Sequence, residues 1–368
     1  MRSLSERRLG SQRVGLRQFG QPAEVVNWLV ASQAQDYSGA KWSIGLRMRA
    51  AIDANGDQRA HGNSDRVVER AFADGDILRT HLLRPTWHFV TPADIRWLLM
   101  LSGEKILKQS EPYHKRVELD TKTFLRCERL LVKALEGGTQ MSREDVRELF
   151  ERNRVITKGE LRFSYMLMHA ELKGVICSGA RDGKSFSYAL LDERARNARV
   201  LNREEALAEL ALRFFTSRGP ANEYDLAKWS NLTLTEARSG LSGVKDKLQS
   251  ETIGGITYWS SANSRVEDKK ASKVFLFSIF DEFVSSYKNR MGAAPAEIGR
   301  KLVAMGNALT GIIVVDGRIV GTWKRVLKKG VVSVTIDLLV ALSKAQHTEL
   351  LRCAGDYAAF LELKLEMT

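Results

Sequence analysis

Between residues 22 and 259, one pattern recurs three times: segments with apolar residues three or four apart, then a turn, then two short alternating segments around a polar tip. Two or three helices followed by a small hairpin is the layout of a winged helix-turn-helix. The third copy is the plainest. Asn202 caps a helix over Arg203–Arg218, Gly219-Pro220 stops it, Glu223–Trp229 and Thr233–Leu248 follow, and Gln249–Trp259 forms a wing turning at Gly254-Gly255. The middle copy has a helix over Thr121–Glu136 stopped by Gly137-Gly138. A second helix, Ser142–Asn153, opens with the capping box Ser142 to Asp145, and Ser164–Lys173 and a wing over Val175–Leu190 follow. The first copy is looser: Pro22–Ser32, Ser38–Ala51 and Ser64–Ala73, then strands Leu78–Leu83 and Trp87–Val90 around Arg84-Pro85. Beyond Ser264 the pattern turns β-rich. Ile312–Val315 and Ile319–Trp323 flank Asp316-Gly317, which supplies the positive φ of a tight hairpin turn, and Val331–Ile336, a helix Ser343–Gly355 and a last segment Tyr357–Leu365 follow. The expected fold is α+β: three tandem winged modules at 1–108, 109–195 and 196–263, then a β-rich, barrel-like domain at 264–368.

Of the 368 residues, 44% are hydrophobic and 27% charged, which suits a globular protein of several modules. The net charge of +13, from 57 Lys and Arg against 44 Asp and Glu, is spread over every segment and favours a polyanionic partner, nucleic acid above all. The three cysteines, Cys127, Cys177 and Cys353, lie far apart with no Cys-x-x-Cys spacing, so neither a disulfide framework nor structural zinc is expected and a cytoplasmic location fits. The longest apolar run, Val274–Phe280, falls well short of the roughly eighteen residues of a membrane span. Arg7, Arg8, Arg13 and Arg17, interleaved with Leu4, Leu9 and Val14, read as a basic opening helix of the folded body.

The candidate chemistry is sparse. Gly179 to Ser185 imitates a phosphate loop, but it is one residue short and sits between two strands, so it reads as a wing turn whose Arg181 and Lys184 reach a DNA phosphate. No His-Glu-x-x-His spacing is present. Asp281, Glu282, Asp316 and Asp337 could be imagined around magnesium, but a solvated helix end and a hairpin turn explain them better, and no metal is expected. His88, between Trp87 and Phe89, is either a satisfied core histidine or a site residue. Lys324, Arg325, Lys328 and Lys329 load one connection with phosphate-binding charge. Gln33 and Gln35 are the most informative pair. Placed where the Pro22–Ser32 helix ends, with Asp36 or Ser38 capping the next helix, both carboxamides can leave the backbone in one direction. Two neutral amides are poor proton-transfer groups and suit a reaction with a good leaving group, in which a water is oriented and developing positive charge is softened. Taken by itself, such a pair more often only satisfies backbone groups at a helix end.

Four pieces, in this order, resemble the AlkZ-like winged-helix DNA glycosylases over nearly the whole chain. They are Ser32 to Tyr37 with Trp42 and Arg47; Arg84 to His88 with Leu98 and Leu99; Ser217 to Ala221 with Asp225 to Ser230; and Phe280 to Phe283 with Tyr287 to Arg290, leading to Gly311 to Trp323. The resemblance implies excision of alkylated bases, chiefly guanine alkylated at ring nitrogen 7 and in one branch interstrand crosslinks. It places the family's catalytic signature on Gln33, Ala34 and Gln35. The expectation is a monofunctional, cofactor-free DNA glycosylase acting on cationic alkylpurines in double-stranded DNA as a monomer, with Gln33 and Gln35 catalytic. Lys41, Trp42, Arg47, Arg84, His88, Arg181, Lys184, Lys324, Arg325, Lys328 and Lys329 are expected to meet DNA or substrate. The alternative is a non-catalytic winged-helix DNA-binding or regulatory protein.

Overall fold

The helix Pro22–Leu29 ends earlier than its apolar period suggests, because Val30 takes φ 66° and turns the chain into a strand, Ala31–Gln33. In this computed structural model, which describes residues 3–49, 51–52, 58–59, 63–262, 274–289 and 310–368, that strand is the edge of a three-stranded antiparallel sheet. It pairs with Arg84–Val90, which in turn pairs with Leu78–Leu82. Asp36 then caps the helix Tyr37–Gly45, its carboxylate accepting the Gly39 N–H at 3.1 Å, and the helix Asp65–Asp74 completes the first unit.

The continuous helix Ile95–Arg116, which the repeat pattern does not announce, carries the chain onward across the expected boundary at 108/109. The second unit has helices Thr121–Leu135, Arg143–Arg152 and Glu160–Leu172 and a small sheet in which Ser187–Leu190 lies between Met141–Ser142 and Ile176–Ser178. In the third unit, helices Arg203–Arg218 and Glu223–Ser230 match expectation. The next, Leu234–Ser242, stops short of Leu248, which is buried and begins the hairpin Leu248–Ile253 and Ile256–Ser261. The boundary at 263/264 and Arg290 lie outside the described residues.

The C-terminal part is a five-stranded sheet with Val274–Phe277, Gly311–Val315, Arg318–Lys328, Val331–Leu338 and Lys364–Met367 as successive neighbours, the last pair parallel. Asp316 and Gly317, at φ 48° and 77°, make the expected tight turn, and a Cβ on Gly317 would press within 2.8 Å of the Glu6 backbone. Lys324, Arg325 and Lys328 belong to a long strand and not to a connection, because pairing with Val331–Leu338 continues to Lys328. The final helix is a single Lys344–Phe360, not a helix ending at Gly355, since Tyr357 and Phe360 bury against Trp42.

The first unit divides its apolar residues between two cores. Val30, Leu78 and Val90 join the third unit's Leu210 and Trp229, while Val25, Trp42 and Phe72 join Leu276 and Trp323 of the C-terminal sheet and Tyr357 of the final helix. The second unit keeps its own core around Phe150 and Phe163. No helix among the described residues is long and apolar enough to cross a membrane.

Candidate active site

Gln33 is not at a helix end but on the edge strand, with its Cα opposite that of His88. The Ala34 N–H still donates to the Trp87 carbonyl at 2.7 Å, and Gln35 lies in the bend that follows the strand. Gln33 is 8% exposed. Gln35 is exposed and lines a cleft of about 550 Å³ together with Asp36, Ile279, Phe280, Lys324 and Val326. Neither carboxamide hydrogen-bonds to a protein group among the described residues, so both remain available to a ligand.

Buried charge holds this turn in place. Val30 is β-branched and fully buried at φ 66°, a conformation that persists only where its surroundings over-determine it. The Arg218 guanidinium supplies that constraint by donating to the Leu29 carbonyl at 2.8 Å and the Ala31 carbonyl at 3.0 Å, either side of Val30. It also pairs with Glu282 at 2.8 Å, and both side chains are wholly buried. Glu282 in turn accepts the Gln33 backbone N–H at 2.9 Å, the Trp229 indole N–H at 2.8 Å and the Ser286 hydroxyl at 2.7 Å. Burial by itself would raise this carboxyl, but Arg218, Arg84 and Ser286 hold it down to about 2. Asp281 is likewise buried and grips Arg47 through two bonds of 3.0 Å. These two acids are therefore neither a solvated helix end nor a metal cluster: each is spent on an arginine from another unit.

The expected DNA contacts divide accordingly. Arg47, expected to meet DNA or substrate, is instead fully buried and also donates to Gln12 and Ser43 as an internal staple. Lys41 is buried and reaches Asp65 and Glu69, each at 2.7 Å. Trp42 donates its indole N–H to the Leu276 carbonyl at 2.7 Å and wedges the first unit onto the C-terminal sheet. Arg325 is bound to Asp36 at 2.8 and 2.7 Å, locking the cap beside Gln35 to the long strand. Arg181 turns inward to Glu69 at 3.1 Å over the Tyr37 ring, so of the pair on that wing turn only Lys184 is exposed. Four of these five, Arg47, Lys41, Arg325 and Arg181, are cations paired with carboxylates, which a sequence does not distinguish from cations facing water, and Arg325 also lines the cleft. Lys324 and Lys329 are exposed, and Lys328 is exposed beside Glu366 at 3.1 Å.

His88 is wholly buried. Its Nδ1 donates to the Thr86 carbonyl at 2.9 Å, leaving Nε2 as an acceptor 3.5 Å from half-buried Arg84. Burial pushes the imidazole down to about 3, Arg84 acting in the same direction and Glu282 against it, so the ring is neutral near pH 7. Arg218 and Glu282 were not singled out by sequence reasoning as site residues. The available signal was charge set among apolar neighbours, in Phe280-Asp-Glu-Phe283 and in Phe214-Phe-Thr-Ser-Arg218. Arg47→Lys keeps the charge but loses the planar fork, leaving buried acceptors unmet, and is expected to cost about 1–3 kcal/mol of stability in urea unfolding.

The edge strand and bend carrying two uncommitted glutamines, held by internal ion pairs between units, occur in a chain that belongs to the AlkZ-like DNA glycosylase family: the family's profile, described as DNA glycosylase AlkZ-like, matches residues 26–360. Over 336 residues the chain is 23% identical to the interstrand DNA cross-link repair glycosylase of Streptomyces sahachiroi, covering 86% of this chain and 87% of that one. Its fold is similar to the solved structure of Streptomyces sahachiroi DNA glycosylase AlkZ, with a TM-score of 0.71 at 18% identity and all of both chains covered.

Proposed function

We propose that this protein is a monofunctional DNA glycosylase that hydrolyses the N-glycosidic bond of purines made cationic by alkylation at ring nitrogen 7, and that crosslinked bases of the same chemistry fall within its range. The observation that carries this reading is the pair of uncommitted carboxamides, one lining the cleft and one buried beside it. An alkylated guanine already carries the positive charge that a general acid would otherwise supply, so it leaves as a neutral base without protonation. The carboxamide oxygens then accept hydrogen bonds from the attacking water and face the oxocarbenium-like sugar, stabilising charge that exists only as the bond breaks. The neutral His88 takes no part as an acid. The three helix-and-hairpin units act as winged helices on duplex DNA, as a monomer in the cytoplasm, with Lys184, Lys324, Lys328 and Lys329 neutralising phosphates.

The decisive experiment incubates the protein with duplex DNA bearing 7-methylguanine. Free base with an intact, alkali-labile strand supports the reading. Strand breaks without alkali point to lyase or nuclease chemistry, and binding without release leaves a non-catalytic DNA-binding protein. Affinity for undamaged duplex should fall with salt at a log–log slope of about −0.9 per phosphate neutralised, and replacing Lys184, Lys324 and Lys329 with Ala should flatten that slope. A slope unchanged by the triple substitution removes these lysines from the interface.

A further inference from the structure

We infer that Arg79 is a positioning residue for the turn between the two glutamines, an inference that rests on the reading of Gln33 and Gln35 as catalytic. Arg79 lies on Leu78–Leu82, two strands from Gln33, and is 8% exposed. Its Nε donates to the Ala34 carbonyl at 3.1 Å. That carbonyl and the Gln35 N–H belong to one planar peptide group, so the bond that aims the carbonyl also sets the plane from which Gln35 departs towards the cleft. With the Ala34 N–H given to the Trp87 carbonyl and the Gln33 N–H to Glu282, the backbone at Gln33 and Ala34 is held at three polar groups by three separate elements.

Arg79 is itself held face to face. Its guanidinium carbon lies 4.4 Å from the Trp87 ring centroid and 4.4 Å from that of Phe186. Phe186 comes from the second unit, next to the strand Ser187–Leu190. The stack fixes a flat cation that would otherwise sample many rotamers, and a charged donor makes the shorter, stronger kind of bond to a carbonyl. Burial lowers the guanidinium only to about 10, so it stays charged near pH 7. The second unit thereby reaches the active-site turn through Arg79, Phe186 lying against its guanidinium and the Ser178 hydroxyl accepting its backbone N–H at 2.8 Å.

The test uses Arg79→Ala and Arg79→Met in the full-length protein, Met retaining packing between the two rings without the donor. Two readouts apply: amide hydrogen exchange of the peptide spanning 31–37, and single-turnover release of 7-methylguanine at saturating enzyme. Both variants should exchange faster in that peptide, lose about 10- to 100-fold in release rate and bind duplex as wild type does, the loss expected of a small misplacement of a catalytic group. Guanidinium ion should restore part of the Arg79→Ala rate and none of the Arg79→Met rate, where Met fills the space. Unchanged exchange at 31–37 overturns the inference whether or not the protein releases base. Faster exchange with an unchanged release rate overturns it also, while absence of release by wild type counts against the glycosylase reading alone.

Discussion

Gln33→Ala and Gln35→Ala should each lower the single-turnover rate of base release by roughly ten- to thousandfold, the range for deleting one preorganised electrostatic group. Affinity for the damaged duplex should change little, because an interaction made only as charge develops on the sugar does not contribute to the ground state. Gln35 is exposed and Gln33 donates its backbone N–H, not its side chain, to Glu282, so neither substitution should disturb the fold. Gln35→Asp is the informative control: a carboxylate there still accepts from water and faces positive charge, and it should retain activity. The double alanine variant should lose less than the product of the single losses, since both amides act on one water and one sugar. Wild-type rates in both single variants would move the chemistry elsewhere in the molecule.

Glu282→Ala should have the largest effect on stability. It removes the partner of a fully buried Arg218 and leaves that charge uncompensated, at a cost of about 3–5 kcal/mol in urea unfolding with the m-value unchanged. The same substitution releases the Gln33 N–H and loosens the bracket around Val30, so base release should fall further than the loss of folded protein accounts for. Replacing Arg218 and Glu282 together with apolar residues should cost less than the sum of the two single changes. The pair also makes the fold acid-sensitive. A carboxyl near 4.3 when unfolded and about 2 when folded contributes stability that is fully present above the unfolded value and is lost as pH falls towards about 2. His88 acts in the same direction at higher pH, since an imidazole near 6.5 unfolded and about 3 folded binds its proton first in the unfolded chain. Stability should therefore begin to decline below about pH 6.5 and fall more steeply below about 4.3. Unfolding in His88→Asn should lose the upper part of that slope.

What the sequence determined was local. The cap at Asn202 and the helix to Arg218, the capping box at Ser142 and the turn at Asp316-Gly317 are as read, and Asp36 is the one of the two cap candidates that serves, because a side chain and its own backbone settle them within a few residues. Gln33 and Gln35 stood out as a pair in the sequence, but the strand that carries Gln33 was missed because Ala31 to Gln33 becomes a strand only against Arg84–Val90. Likewise, the extension of the long strand to Lys328 and of the last helix to Phe360 is written in the partners they meet and not in their own periodicity. The tertiary structure alone decided the fate of the charges. Arg47, Lys41, Arg181, Arg218 and Arg325 are indistinguishable from phosphate-binding cations until Asp281, Glu69, Glu282 and Asp36 arrive from up to hundreds of residues away. A charge removed from water must be matched on the spot, and only the folded chain says by what.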